Sequence, residues 1–363
     1  MRDLASHEVY LTVRWTLRRA DGVLPAATEV AYDQICINEA PAVCPANLSG
    51  RPSGCKSEGN MLQLTGCMTF DGAAGERAST WCAAFDLEKG ALVSYLIDGE
   101  QMLEEPLVPC FARAATENDL GARFDKVMAL WRNAAVIAAT VDVDELEDCT
   151  RITVVSEPIG EAATVVMEYR VYADGEIAVT ESLKDAGKLS EAPLLPRFGM
   201  QLVMPGEYSC MEFFGKGPFE NYVDRQSSAL VGRYSQRVED QYHYGYVRPQ
   251  ESGSKTGMKW LRVTDANGTG LEISSDQKFT GSALPFSVAD MDVRMLGNNQ
   301  AHSLELKAKA HENNRRSGKT YVTVDLHHTG LGCVNSWGAW PRKEYRVAPA
   351  EYTFRMRLRP VNN

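Results

Sequence analysis

The chain of 363 residues has 44% hydrophobic and 24% charged residues, which is typical of an ordinary globular protein with one large domain or a large and a smaller one. Its net charge of −10 argues against nucleic acid or a membrane surface as the main partner, because phosphate recognition needs a basic face. The nine cysteines lack CxxC pairs and regular spacing, so we expect neither a disulfide framework nor a zinc site.

The first predicted strand covers residues 9–17, where apolar and polar side chains alternate with the period of a strand that has one buried face. The stretch that follows, residues 38–60, is rich in proline, glycine and serine and indicates an irregular linker. We therefore divide the chain into residues 1–40, the end of one β-domain; residues 41–60, the linker; and residues 61–363, the main domain. Residues 1–40 contain too few strands to close a sandwich, so we expect the chain to be a piece of something larger.

Strand signals dominate the main domain. Dipeptides that favour primed β-turns separate its alternating segments at Asp98-Gly99, Asp174-Gly175 and Asn267-Gly268. In the last predicted strand, residues 352–359, three arginines share the solvent face. No run of alternating strands and helices is long enough for an α/β barrel. The sequence therefore predicts an all-β fold with two stacked sheets.

One segment has helical spacing instead. Phe124, Val127, Met128 and Trp131 follow the helical period after Asn118-Asp119, which we expect to cap a short helix. This pattern predicts a brief helical interruption of the β-rich chain.

The densest mixture of polar and backbone-bending residues lies between residues 215 and 225. Gly215, Gly217 and Pro218 can set special backbone dihedrals. The polar members supply acceptors and a guanidinium that can satisfy one another if buried, and they are Glu220, Asn221, Asp224 and Arg225. A solvated turn is the alternative. Because Arg225 would keep a neighbouring carboxylate ionised, we expect a structural network and not a catalytic acid.

Five segments, in order along the chain, resemble the C-terminal small-chain region of β-galactosidases of glycoside hydrolase family 2. Residues 215–225 match the pattern Gly-x-Gly-Pro-x-Glu-Asn-Tyr-x-Asp-Arg in full, and the other segments are residues 113–119, 195–199, 247–253 and 330–338. The departures from the family's patterns are Ala115, Glu117, Ser252, Cys333, Val334 and Asn335.

This resemblance implies a β-supersandwich of the galactose-mutarotase-like kind for the main domain and the end of an immunoglobulin-like domain for residues 1–40. It also assigns the two carboxylates of a retaining glycosidase to a TIM barrel whose motifs are absent here, so we predict that this chain alone is inactive. Arg248 and Glu251, in the fourth matching segment, are also predicted to have a structural role. The dipeptide Asn38-Glu39 resembles an acid/base motif. Because it lies beside the linker, we do not expect it to be catalytic.

Trp337 is the candidate residue for sugar contact, with Ser336 and Asn335 beside it. The apolar C–H face of a sugar packs well on an aromatic ring while its hydroxyls form hydrogen bonds at the rim. By resemblance, the matching tryptophan reaches across to the barrel and completes the galactose pocket. The alternative is a core tryptophan, and Trp340 is predicted to be a second contact or a support.

Two other functions stay open. One is an independent carbohydrate-binding module. The other is an aldose mutarotase or epimerase, which would use a histidine and a carboxylate for acid/base catalysis. His327 and His328 are neighbours on a predicted strand and should point to opposite faces, one of them toward solvent; His243 lies among aromatic residues.

The resemblance implies no cofactor for this chain and leaves Mg²⁺ or Na⁺ to the barrel of the complete enzyme. The partners that it implies are a β-galactoside sugar and the catalytic barrel, as a domain of the same chain or as a separate subunit. A homo-oligomer is left open, as is the choice between cytoplasm and periplasm, and neither nucleic acid nor a membrane is expected.

Overall fold

The computed structural model describes residues 7–39, 50–72, 75–293, 301–307, 318–332, 335 and 337–362. Antiparallel sheets of two, five and twelve strands account for most of this part of the chain. The two-stranded sheet pairs β1 (Val9–Thr16) with β2 (Glu29–Asn38). The five-stranded sheet has the order β3 (Gly54–Glu58), β4 (Met61–Gly72), β5 (Gly75–Asp86), β6 (Ala91–Ile97) and β7 (Glu100–Gln101).

The twelve-stranded sheet divides at one long strand. Its main path has the order β15 (Leu230–Arg237), β14 (Cys210–Gly217), β16 (Lys255–Thr264), β17 (Gly270–Leu284), β19 (Tyr352–Val361), β12 (Ile177–Asp185), β11 (Ala163–Val171), β10 (Thr150–Ser156) and β9 (Ala138–Glu145). Residues 280–284 of β17 also pair with β18 (Lys319–His328), which pairs with β13 (Arg197–Pro205). Strand β8 (Glu105–Cys110) pairs with β13.

The five-stranded sheet packs against the large sheet through a shared hydrophobic core. Every second residue of β10 and β11 is buried, which is the pattern of strands with one inward face. Phe85 of β5 meets Tyr169 of β11 edge to face, with ring centroids 5.2 Å apart. The Nε1 of Trp81 donates a hydrogen bond to the carbonyl of Ala173 at 3.1 Å. The predicted all-β fold with stacked sheets is confirmed.

The N-terminal hairpin of β1 and β2 contacts the large sheet beside its edge strand β15. Tyr32 Oη donates to the Ser228 carbonyl at 2.6 Å, and the Gln34 carboxamide bonds both the N–H and the carbonyl of Val231. Residues 41–49 of the predicted linker lie outside the described residues. Residues 54–58, also predicted as linker, form β3 because the Gly59-Asn60 turn pairs them with β4.

Helical structure is confined to short segments in the described part of the chain. They include α1 (Glu117–Gly121), α2 (Phe124–Val127), α3 (Ala129–Arg132) and α4 (Val288–Met291), and residues 303–307 are also helical. The predicted single helix is thus broken, and the predicted cap is wrong. Thr116 caps α1, since its hydroxyl accepts from the Asp119 N–H and the Asp119 carboxylate accepts from the Thr116 N–H. None of these helices is long and apolar enough to cross a membrane.

The three predicted primed turns have different outcomes. Asp98 and Gly99 both have positive φ, 50° and 85°, as a type I′ turn requires. At Asp174-Gly175 and Asn267-Gly268 only the glycine has positive φ, so the prediction is wrong there. In the last strand the alternation is confirmed for Phe354, Met356 and Leu358, which are buried, and for Arg355 and Arg359, which are exposed. The third arginine, Arg357, is mostly buried, because it pairs with the buried Glu176.

Gly175 and Gly99 allow backbone strain to be separated from steric overlap. Both have φ near 85°, but a Cβ on Gly175 would lie 2.8 Å from Trp81, whereas nothing lies within 4 Å at Gly99. We expect Gly99→Ala to lower the free energy of unfolding by about 1 kcal/mol through strain. Gly175→Ala should lower it by about 1 to 3 kcal/mol more, because the core overlaps the new methyl group. Urea unfolding of both variants checks this, and equal losses would contradict it.

Glu181 of β12 is an acidic side chain sealed inside the core. It has 0% exposure, and neither carboxyl oxygen has a hydrogen-bond partner. Burial, and then the nearby charge of Asp325, raises the pKa of Glu181 well above its ordinary value of 4.5. The folded chain therefore holds this side chain as the neutral acid.

The pH dependence of stability should reveal that neutral acid. A raised folded-state pKa gives a contribution that is fully present below the unfolded pKa and is lost as pH rises toward the folded pKa. We expect Glu181→Gln to remove this loss, so that the stability of the wild type relative to the variant falls from pH 4.5 to pH 8. Urea midpoints across this range provide the measurement. Glu58→Gln, at an exposed glutamate, should give a curve parallel to wild type; a parallel curve for Glu181→Gln would refute the idea.

Candidate functional site

The polar turn at residues 220–225 follows the end of β14, where a cis peptide bond joins Gly217 to Pro218. Gly215 and Gly217 have no positive φ, so the special backbone geometry predicted for this segment is found in the cis Gly217-Pro218 bond. They are needed for space, because a Cβ would lie 2.9 Å from Met258 at the first position and 2.9 Å from Phe213 at the second. Tyr222 and Arg225 exchange backbone hydrogen bonds of 3.1 and 2.7 Å, which close the turn.

Glu220 is the centre of the polar network. Its Oε1 accepts from Arg225 at 2.6 Å and from the Tyr246 hydroxyl, and its Oε2 accepts from Ser252 Oγ and the Gly253 N–H, both at 2.8 Å. Burial alone would raise the pKa of Glu220, but these donors and the Arg225 charge outweigh it and lower the pKa. The expectation that Arg225 would help to keep a neighbouring carboxylate ionised is confirmed.

Asn221 and Asp224 bind groups outside residues 220–225 and not one another, so the predicted mutual network holds for Glu220 and Arg225 but not for these two residues. The buried Asn221 donates to the carbonyls of Lys216 and Phe219, both at 3.0 Å, and accepts from Thr256. Asp224 reaches a distant segment, where its two oxygens accept from the N–H groups of Leu331 at 3.2 Å and Gly332 at 2.9 Å. Asp224 therefore attaches the polar turn to the segment that carries Trp337.

We call residues 330–339 the Trp337 loop; residues 333, 334 and 336 of this loop, and hence the candidate Ser336, lie outside the described residues. A second attachment comes from Asn118 of α1. Its Oδ1 accepts from the Gly338 N–H at 2.9 Å, and its Nδ2 donates to the carbonyls of Ala339 at 2.8 Å and Leu331 at 3.4 Å. Both ends of the loop are thus bonded to the same carboxamide.

Trp337 lies between these attachments, and its side chain is 87% exposed. This excludes the alternative of a core tryptophan. Asn335 Oδ1 accepts from the N–H groups of Trp337 at 3.0 Å and Ala339 at 3.3 Å, so this candidate site residue organises the loop itself. Trp340 is a support, because its ring packs against Phe124 at 5.4 Å and lies under the Arg346 guanidinium.

The first residue of the Trp337 loop is bonded to a buried charged side chain, that of Arg113. Arg113 is 2% exposed and donates to Asp119 Oδ1 at 3.0 Å and to the Gly330 carbonyl at 3.4 Å. Its guanidinium also lies 5.1 Å from the centre of the Phe124 ring. The same arginine therefore fixes α1, through Asp119, and the first residue of the Trp337 loop.

Glu251 and Arg248 differ in the roles that the structure gives them. Glu251 is buried, accepts from Ser254 Oγ at 3.1 Å and Tyr222 Oη at 3.4 Å, and lies 3.8 Å from Arg197. Burial raises the pKa of Glu251, and the charges of Arg197 and Arg113 partly offset this. Arg248 makes a 3.5 Å ion pair with Glu117 in which the side chains are 39% and 57% exposed, so it contributes little to stability.

The histidines are separated in the structure. His328 is buried, its Nδ1 bonds the Thr329 carbonyl at 2.9 Å, and burial lowers its pKa well below 6.5. His327 is half-buried and lines a cleft of about 420 Å³, so it is the one of the two neighbouring histidines that lies toward solvent. His243 stacks edge to face on Tyr246, with ring centroids 4.7 Å apart. Among the described residues no group of three or more His, Cys, Asp or Glu side chains could hold a metal ion.

Two contributors to the site were missed by sequence reasoning. The sequence predicts Asn118 only as a helix cap, and it predicts Arg113 only as part of a matching segment. The capping box formed by Thr116 and Asp119 was a usable signal, because it would have left Asn118 free for another role. The position of Arg113 had no such local signal, since its partner Gly330 is 217 residues away.

The fold and site are those of a β-sheet domain that presents one exposed aromatic side chain on a loop held from two sides. The chain belongs to the beta galactosidase small chain family, which matches residues 77–358. It is 28% identical to a β-galactosidase of Priestia megaterium over 98% of this chain and 32% of that protein. It is 30% identical to one of Lactobacillus delbrueckii subsp. bulgaricus over 75% of this chain and 25% of that protein. The chain thus spans about a third or less of these relatives.

Among solved structures, the chain is similar to a galactose mutarotase-like protein from Clostridium acetobutylicum. The match has a TM-score of 0.43 and 11% identity, and it covers 84% of this chain and 95% of that one.

Arg225 should stabilise the domain through Glu220. Arg225→Ala leaves a mostly buried carboxylate without its cationic partner, and we expect a loss of about 1 to 2 kcal/mol in the free energy of unfolding. Arg51→Ala is the matched control, since both side chains of its ion pair with Glu145 are about half exposed, 49% and 58%. Thermal melting of the two variants tests this prediction. A melting temperature of Arg225→Ala equal to that of the control would show that the network is solvated and does not stabilise the domain.

Proposed function

We propose that this chain is the non-catalytic C-terminal part of a retaining β-galactosidase, which helps to complete the galactose pocket through Trp337 and stabilises the assembly. The observation that carries the proposal is the exposed Trp337 indole on a loop whose backbone is bonded at both ends. A large aromatic ring is normally buried, and one that is held out on an ordered loop is suited to a partner surface or a ligand.

The chemistry of a galactoside fits such a ring. A pyranose has an apolar C–H face that packs on an indole, while its hydroxyl groups can bond groups supplied from elsewhere. Asn335 uses its Oδ1 within the loop, so we assign the sugar contact to the indole and expect the polar contacts to come from the partner. The proposed partner is the catalytic barrel, as a domain of the same chain or as a separate subunit.

The carboxylates beside the loop support a non-catalytic role. A retaining glycosidase needs two carboxyl groups about 5 to 5.5 Å apart, one of which has a raised pKa so that it can act as the acid. Glu220 has a lowered pKa and four hydrogen-bond donors, and Asp224 accepts from backbone N–H groups. Glu220 therefore lacks the properties of the acid, and both oxygens of Asp224 are engaged by the loop backbone.

The N-terminal hairpin supports the proposal that the chain belongs to a larger assembly. Tyr32 and Gln34 bond the large sheet, whereas Leu11, Trp15 and Ile35 remain 49%, 50% and 49% exposed. Leu11 pairs directly with Ile35 across the hairpin, so these apolar side chains lie on one face. An exposed apolar face of this kind is typical of a surface that another part of a protein covers.

Replacement of Trp337 tests the proposed sugar contact. In the complete enzyme we expect Trp337→Ala to weaken galactoside binding by about 1 to 3 kcal/mol, the scale of a lost aromatic contact. Its melting temperature should stay at the wild-type value, because the side chain is exposed. Trp337→Phe keeps an aromatic face and should lose less. KM and kcat measured for both variants provide the test, and values equal to wild type would mean that Trp337 does not touch substrate.

A further inference from the structure

We propose that Asn118 and Asp224 are positioning residues that together fix the Trp337 loop for sugar contact, each through hydrogen bonds that its own side-chain type alone can make. This inference rests on the proposed function of Trp337. Neither side chain belongs to the loop, and they come from different parts of the fold, α1 and the polar turn.

Asp224 needs two acceptor atoms. Leu331 N–H donates to Oδ1 and Gly332 N–H donates to Oδ2, so each oxygen has its own donor. An asparagine in this place would turn an NH₂ group toward one of the two N–H groups and leave that donor unpaired. A Cβ on Gly330 would lie 2.5 Å from this carboxylate, which shows how closely the loop approaches it.

Asn118 needs one acceptor and one donor. Its Oδ1 accepts from Gly338, while its Nδ2 donates to the carbonyls of Leu331 and Ala339. An aspartate would keep the first hydrogen bond and place a second acceptor against two carbonyl oxygens. The chemical requirements at the two positions are therefore opposite, although the two side chains have nearly the same shape.

The backbone of the loop is in close contact with α1. At Gly338, with φ of 86°, a Cβ would lie 2.3 Å from the carbonyl carbon of Gly121. At Gly332, with φ of 91°, a Cβ would lie 2.2 Å from Asn118 Nδ2. Because no side chain intervenes, the carboxamide of Asn118 reaches backbone groups at both ends of the loop, and the orientation of Trp337 depends on it.

The hydrogen bonds of Asn118 and Asp224 are made to the backbone of the loop and leave the indole of Trp337 exposed. The hydrogen bonds join residues 331, 332, 338 and 339, whereas within the described residues Trp337 donates its own N–H to Asn335 Oδ1. Loss of either attachment should therefore change where the indole points without changing the indole itself. The effect on activity should pass through Trp337.

Double-mutant cycles in the complete enzyme test this dependence. We expect Asn118→Asp and Asp224→Asn each to raise KM for a galactoside about tenfold, the effect of losing one or two hydrogen bonds that position the contact. In a Trp337→Ala background the same substitutions should change KM by less than about twofold, because the residue through which they act is gone. Asn118→Ala, which adds no charge, serves in place of Asn118→Asp should that variant fail to fold.

The controls separate the two hypotheses. Asp142→Asn, at an exposed position of β9, makes the same chemical change as Asp224→Asn and should leave KM unchanged. Wild-type KM for both the Asn118 and the Asp224 variants, or losses that add fully to that of Trp337→Ala, would overturn the positioning role while leaving the proposed function intact. Wild-type KM and kcat for Trp337→Ala alone would overturn the proposed function and this inference with it.

Discussion

The structure around the loop depends on one constraint, that each buried polar group in the turn at residues 220–225 has a hydrogen-bond partner. Glu220 is mostly buried, with a side chain that is 13% exposed, and it stays ionised because four donors surround it. An unpartnered carboxylate in that position would cost several kcal/mol. The donors come from residues 225, 246, 252 and 253, so folding of the turn requires these segments to be in place. Asp224 then lies where it can bind the Trp337 loop.

This arrangement explains how a β-sheet domain holds an exposed tryptophan in a defined place. Exposed loops are usually the most mobile parts of a fold, because few buried contacts restrain them. Here the restraint lies below the loop, in the Asp224 and Asn118 hydrogen bonds and in the buried Arg113, which bonds the Gly330 carbonyl. The exposed end of the loop carries the aromatic side chain, and the hydrogen bonds at the base of the loop hold it in place.

The sequence predicted what is local and missed what is long-range. Alternation in residues 352–359 predicted the buried and exposed faces of the last strand, and the Asp98-Gly99 dipeptide predicted its turn, because both signals act between near neighbours. The same reasoning gave Asn221 and Asp224 the wrong partners. Their partners lie at Thr256 and Leu331, 35 and 107 residues away, and no periodicity encodes such pairings. The motif predicted polar partners for these residues but could not identify which segments supply them.

The carboxylates of the domain also bear on its chemistry. An acid/base catalyst needs both a raised pKa and access to substrate. Glu181 has the raised pKa but is sealed in the core, and Asp325, whose pKa burial raises to about 7, is equally enclosed beside Arg197. Glu220 lies nearer the surface, where its donors and Arg225 lower its pKa. Among these three carboxylates, the raised pKa and the access to substrate therefore belong to different residues. This division is in keeping with the proposal that the domain supplies shape and an aromatic surface while a partner supplies the reacting groups.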